Sequence, residues 1–142
     1  MYEKIRQKML EEHGRIDSML SEFEGSLNSK NAEEIFNRFK WNLEKHFFIE
    51  ERAIFAMHNN TNECEISDTF KLMQEHGEIL ALLKTIESKI KSNSIEDISN
   101  LKNVLKKHVE FENIYFYPNL EKNLNEQQKK EIVDRVEEII RD

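Results

Sequence analysis

The sequence predicts an all-α fold, an up-down-up-down four-helix bundle with a short C-terminal helix. Three observations predict it. Only 3 Gly and 1 Pro interrupt 142 residues, too few turn formers for a sandwich or barrel. Apolar residues recur at steps of three and four along most of the chain. Polar breaks at Asn28–Asn31, Asn59–Ser67 and Ser92–Ser94 leave short connections, which favour antiparallel neighbours. The length suits one compact domain, residues 1–142.

The first helix is expected over about 2–27, with Ile5, Met9, His13, Ile16, Leu20, Phe23 and Leu27 as its inward stripe. The second, about 32–58, carries Phe39, Leu43, His46, Glu50, Ala53 and Met57. The third, about 67–91, carries Met73, His76, Ile79 or Leu80, Leu83, Ile86 and Ile90. The fourth, about 95–122, carries Leu101, Leu105, His108, Glu112 and Tyr115. A last helix, about 126–140, shows Ile132, Val133, Val136, Ile139 and Ile140, and packs on the bundle or on a partner chain. Asn31 with Glu34, Ser94 with Asp97 and Asn125 with Gln128 resemble capping boxes at three helix starts.

Composition narrows the function. A net charge of −7 argues against nucleic-acid binding, which depends on clustered Lys and Arg. The single cysteine, Cys64, excludes an intramolecular disulfide and a thiolate metal cluster. No apolar run approaches the ~20 residues of a membrane span, and no signal-peptide pattern opens the chain, so a cytoplasmic location is expected. No nucleophile–base pair, phosphate loop or dinucleotide fingerprint points to hydrolase or transferase chemistry.

The chain repeats a helical hairpin. Residues 12–20, EHGRIDSML, align with residues 75–83, EHGEILALL. His46-Phe47-Phe48-Ile49-Glu50 aligns with His108-Val109-Glu110-Phe111-Glu112. In both halves a helix bearing one His is followed by a turn and a helix bearing His-x-x-x-Glu. Each His lies roughly 16 residues from its turn, about 25 Å at 1.5 Å per residue, so antiparallel packing brings all four to one layer.

His13, His46, Glu50, His76, His108 and Glu112 all sit in apolar stripes and point inward. A buried carboxylate without a partner costs several kcal/mol, so Glu50 and Glu112 must be protonated, paired or metal-bound. One inward His is ordinarily a satisfied core residue. Four in register, two with Glu at one offset, point to a His4Glu2 metal site. Six ligands could saturate one octahedral ion. If each Glu bridges instead, two ions take two His each, with room for an oxo or hydroxo bridge and an exogenous ligand. The donor set suits iron, zinc or manganese alike.

The motifs Glu12-His13-Gly14, His46-x-x-x-Glu50-Glu51, Glu75-His76-Gly77 and His108-x-x-x-Glu112-Asn113 resemble the hemerythrin-like family, in its His-His-Glu (HHE) cation-binding branch. The run Tyr115-Phe116-Tyr117-Pro118 resembles the usual ending of the last motif. The resemblance covers about residues 5–122 and implies two non-haem iron ions in a four-helix bundle, with oxygen-related roles. It implies dioxygen or a related small diatomic as the ligand, bound for storage or sensing. Peroxide or nitric-oxide chemistry, iron–sulfur repair and a purely structural metal are the alternatives. Oxygen-carrying members place a further His where Leu80 stands, and an Asp five residues after the fourth-helix His; here Glu112 follows His108 by four. The resemblance to those carriers is therefore incomplete, and binding is expected ahead of turnover. The sequence does not identify a protein partner.

The surroundings add lesser expectations. Phe36, Phe39, Phe47, Phe48, Phe55, Phe111 and Phe116 lie on the Glu-bearing helices and form a packed apolar sleeve. Tyr115, one turn past Glu112, is a candidate hydrogen-bond donor to the site, and Asp17 a candidate at its edge. Glu12, Glu51 and Glu75 point about 100° away from their neighbouring ligands, toward solvent or behind the site. Gly14 and Gly77 suggest close helix approach near the metal layer, and His58 reads as a surface residue.

Overall fold

The computed structural model describes residues 4–56, 63–95 and 97–141, without the side chains of 63–65. Every regular element among them is helical. α1 spans Lys4–Gly25. α2, Ala32–Ile49, runs on into a π-helical turn at Glu50–Phe55. α3 spans Glu63–Lys91. α4, Ser99–Phe111, runs into a second π-turn at Glu112–Phe116 and on into α5, Tyr117–Asn123. α6 spans Glu126–Arg141. In the π-turns the backbone reaches five residues back: Ala56 N–H donates to the Glu51 carbonyl at 3.3 Å, and Tyr117 N–H donates to that of Glu112.

α1 packs on α2, α2 on α3, α3 on α4, and α5 returns to α1. α6 lies against α1, α2 and the first π-turn, so its apolar face is covered by its own chain. Ile132, Val133 and Val136 are buried there, and Lys8 pairs with Glu137 at 3.3 Å on the rim. Among the described residues no helix is long and apolar enough to cross a membrane.

Several boundaries differ from expectation. α3 begins at Glu63 rather than near 67, and α4 at Ser99 rather than near 95. Ile95 and Ile98 enter the core from non-helical chain before α4, and that burial outweighs a longer helix. The box at Ser94 does not form: Ser94 Oγ meets Ser92 Oγ at 2.7 Å, and Asp97 accepts from Ser99 N–H at 3.0 Å. Asn31 makes no side-chain cap. The third box does form: Gln128 N–H donates to Asn125 Oδ1 at 2.8 Å, and Asn125 N–H to Gln128 Oε1 at 3.0 Å. Asn93, at φ 54°, makes the left-handed turn after α3, which Asn tolerates.

The core is split in two. Ile16, Leu20, Phe23, Phe36, Phe39, Leu43, Ile79, Leu83, Leu101 and Leu105 belong to one cluster. Ile5, Met9, Ile49, Ala53, Leu72, Phe116, Leu120 and the α6 residues belong to the other. In α3 the inward position is Leu72; Met73 is 45% exposed. Between Met9 and Ile16, and between Leu72 and Ile79, the stripe carries His13 and His76. A polar layer thus separates two apolar ones at a single height.

Candidate metal centre

The structure brings all six candidate side chains together, each buried. His13, His46, Glu50 and Glu112 offer donor atoms within 4.8 Å of one another. Glu50, His76, His108 and Glu112 do the same. Both carboxylates belong to both groups, which is the arrangement bridging requires.

The donors face inward by their Nε2 atoms. His13 Nε2 lies 3.0 Å and His108 Nε2 3.6 Å from Glu112 Oε1. His46 Nε2 lies 3.5 Å and His76 Nε2 3.0 Å from Glu50 Oε1. Yet His13 Nε2, His46 Nε2, His108 Nε2 and both Glu112 oxygens are buried without a hydrogen-bond partner. Buried polar atoms are ordinarily satisfied, so atoms that converge without bonding one another fit cations between them. This donor set, neutral imidazole and carboxylate, fits a first-row divalent metal.

Behind the layer the Nδ1 atoms have their own partners. His76 Nδ1 meets Glu51 Oε2 at 2.7 Å, and His108 Nδ1 meets Glu75 Oε1 at 2.7 Å. His13 Nδ1 meets the amide oxygen of Asn113 at 2.8 Å. Such bonds fix the tautomer and present Nε2 to a metal. Glu51 and Glu75 therefore stand behind ligands, one of the two positions expected of them. Glu12 is buried and pairs with Arg15 at 2.7 Å.

Burial dominates the electrostatics. It holds the His46 imidazole down at about 3, and it also lowers His13. Burial opposes ionisation of Glu50, but His46, Glu112 and His76 together hold it well below the usual carboxylate range. Burial and the neighbouring Glu50 charge push Glu112 well above that range. Without metal the pair therefore carries one proton, held by Glu112, while Glu50 stays ionised. His76 is also desolvated, yet bonds to Glu50 and Glu51 raise it above the ordinary histidine value.

Three expectations fail here. Tyr115 is 58% exposed and points away; Tyr117, fully buried, hydrogen-bonds Glu50 Oε2 instead. The π-turn is the cause, because it puts residue +5 from Glu112, rather than +3, on the site face. Asp17 is exposed on α1 and does not join the site. The glycine expectation also fails: a Cβ built at Gly14 or Gly77 meets nothing within 4 Å. In the sleeve, the Phe47 ring stacks on His76 at 3.9 Å and Phe55 lies 5.9 Å from it, whereas Phe48 is 50% exposed and Phe111 half-buried. His58 lies outside the described residues. Sequence reasoning missed Tyr117 and Asn113. A signal for Tyr117 existed: Phe55 and Tyr117 both follow a repeat glutamate by five residues.

A family model for the hemerythrin HHE cation binding domain matches residues 4–120. The chain belongs to this family. The match covers both copies of the hairpin and all six inward donors of this hemerythrin-like domain, and it stops before α6. Comparison with curated proteins and with solved structures returns no significant match.

Proposed function

We propose that this HHE domain is an up-down-up-down four-helix bundle of the cytoplasm that holds two iron ions. His13 and His46 bind one, His76 and His108 the other, and Glu50 and Glu112 bridge them. Its task is to bind dioxygen or a related small diatomic, for storage or sensing. The observation that carries this reading is that two four-donor groups share both glutamates. When bound, the iron pair supplies reversible electron transfer and an open position for a small ligand.

The chain's own residues set the conditions. Glu51, Glu75 and Asn113 hold three imidazoles with Nε2 inward. Tyr117 ties one oxygen of Glu50 and leaves the other toward the histidines. Phe47, Phe55 and Phe116 keep the layer dry, which protects a bound diatomic from proton leakage.

The test is the visible spectrum of iron-loaded protein cycled between argon and oxygen. Bands that appear and vanish reversibly support binding. Irreversible bleaching with turnover indicates an enzyme, and zinc without iron in the purified protein indicates a structural site.

A further inference from the structure

The hairpin duplication relates the two halves of the site position by position. Alignment of the repeat pairs His13 with His76, His46 with His108 and Glu50 with Glu112. Extended outward, it pairs Asn113 with Glu51, Glu12 with Glu75, Arg15 with Glu78 and Tyr117 with Phe55. The supporting contacts follow the same symmetry. His76 is backed by Glu51 from the opposite half, and His13 by Asn113 from the opposite half. His108 is backed by Glu75 of its own half, and the equivalent partner of His46 is Glu12.

The residues at those places are not equivalent in charge. His76 and His108 both rest on carboxylates, at 2.7 Å. His13 rests on a neutral amide at 2.8 Å. His46 has no partner on Nδ1, and Glu12 Oε1 is likewise buried and unbonded. The reason is Arg15, which draws Glu12 Oε2 to 2.7 Å and also donates to Asn42 at 2.9 Å. In the second half Arg15 is replaced by Glu78, so Glu75 stays with His108; Lys71, 3.8 Å from Glu75, is its more distant cation. A carboxylate behind an imidazole raises its basicity as a ligand. An amide does so far less, and an unbonded ring leaves its orientation to packing alone.

We propose that the two cation positions are unequal, with the His76–His108 position the tight one, filled first, and the His13–His46 position the weak, exchangeable one. This rests on the two-ion reading above. It makes a half-loaded protein, with one ion held and a vacant neighbour beside Tyr117, a populated state at low metal.

Calorimetric titration of the metal-free full chain with Zn2+ tests it. Two steps are expected, with a total of two ions. Unequal steps can also arise from repulsion between ions at equal positions, so variants assign them. His108→Asn removes the tight step and His46→Asn the weak one. Glu51→Gln and Glu75→Gln each weaken the tight step by about 10- to 100-fold and leave the weak one. Asn113→Asp, which sets a carboxylate where the amide stands, tightens the weak step by a similar factor and needs no loss of binding to be read. Two ions bound in wild type with His46→Asn and His108→Asn affecting the same step equally, or no response to Glu51→Gln, Glu75→Gln and Asn113→Asp, overturns the inequality and leaves the two-ion reading standing. Fewer than two ions per wild-type chain overturns both.

Discussion

Tyr117 and Glu50 stand 67 residues apart in sequence, and the buried phenol of one donates to a carboxylate oxygen of the other. The bond joins the first residue of α5, just past the second π-turn, to the first residue of the first π-turn. Burial pushes the Tyr117 hydroxyl well above its ordinary range, with Glu112 and Glu50 adding to the shift, so it stays a donor.

Removing that donor leaves a buried, charged acceptor short of a bond. Tyr117→Phe is expected to destabilise the metal-free protein by about 1.5–3 kcal/mol, the range for hydrogen bonds to charged groups. Tyr115→Phe, on the exposed face, is expected within about 0.5 kcal/mol of wild type. Urea denaturation at pH 7 checks both. Equal stabilities for the two variants contradict the assignment.

The buried imidazole of His46 makes the metal-free protein sensitive to acid. Its folded value is about 3, against 6.5 for the exposed residue. Between those values the unfolded chain binds a proton that the folded one refuses, so stability falls as pH drops from 6.5 toward 3. One such proton contributes at most about 1.4 kcal/mol per pH unit. His46→Gln is expected to lose less stability than wild type over that window, measured by denaturation at successive pH values.

Glu112 acts in the opposite sense. Its folded carboxyl titrates well above the ordinary 4.5, so its contribution is complete below 4.5 and is lost as pH rises toward the folded value. The metal-free Glu112→Gln variant is therefore expected to gain on wild type as pH rises above 4.5, while binding fewer ions. A constant stability difference across pH contradicts a proton held by Glu112.

Gly14 and Gly77 lie on exposed helix surface with open space around the missing Cβ. Gly14→Ala and Gly77→Ala are each expected to stabilise by about 0.5–1 kcal/mol, from helix propensity and a less free unfolded chain. Thermal denaturation reads the change; a lower melting temperature contradicts the open space around these two Cβ positions.

How far the sequence carried depends on which rule governed each residue. Periodicity of 3.6 brings His13, His46, His76 and His108 to one inward layer, and the repeat marks Glu50 and Glu112 as a pair. It fails at the second π-turn, where one extra residue per turn moves the facing positions after Glu112 from +3 and +4 to +4 and +5, from Tyr115 and Phe116 to Phe116 and Tyr117. It also misled at Ser94, where a local cap lost to burial of Ile95 and Ile98. The roles of Asn113 and Glu75 needed the third dimension, because each backs a histidine on another helix. Gly14 and Gly77 read as packing devices only because sequence cannot show that their Cβ positions are open.

The most direct measurement is the number of cations per folded chain, by elemental analysis of iron-reconstituted protein. Two are expected for wild type, and one or none for Glu50→Ala and for Glu112→Ala, since each removes a donor common to both groups. Two ions retained in both variants, or none in wild type, contradicts the shared-glutamate site.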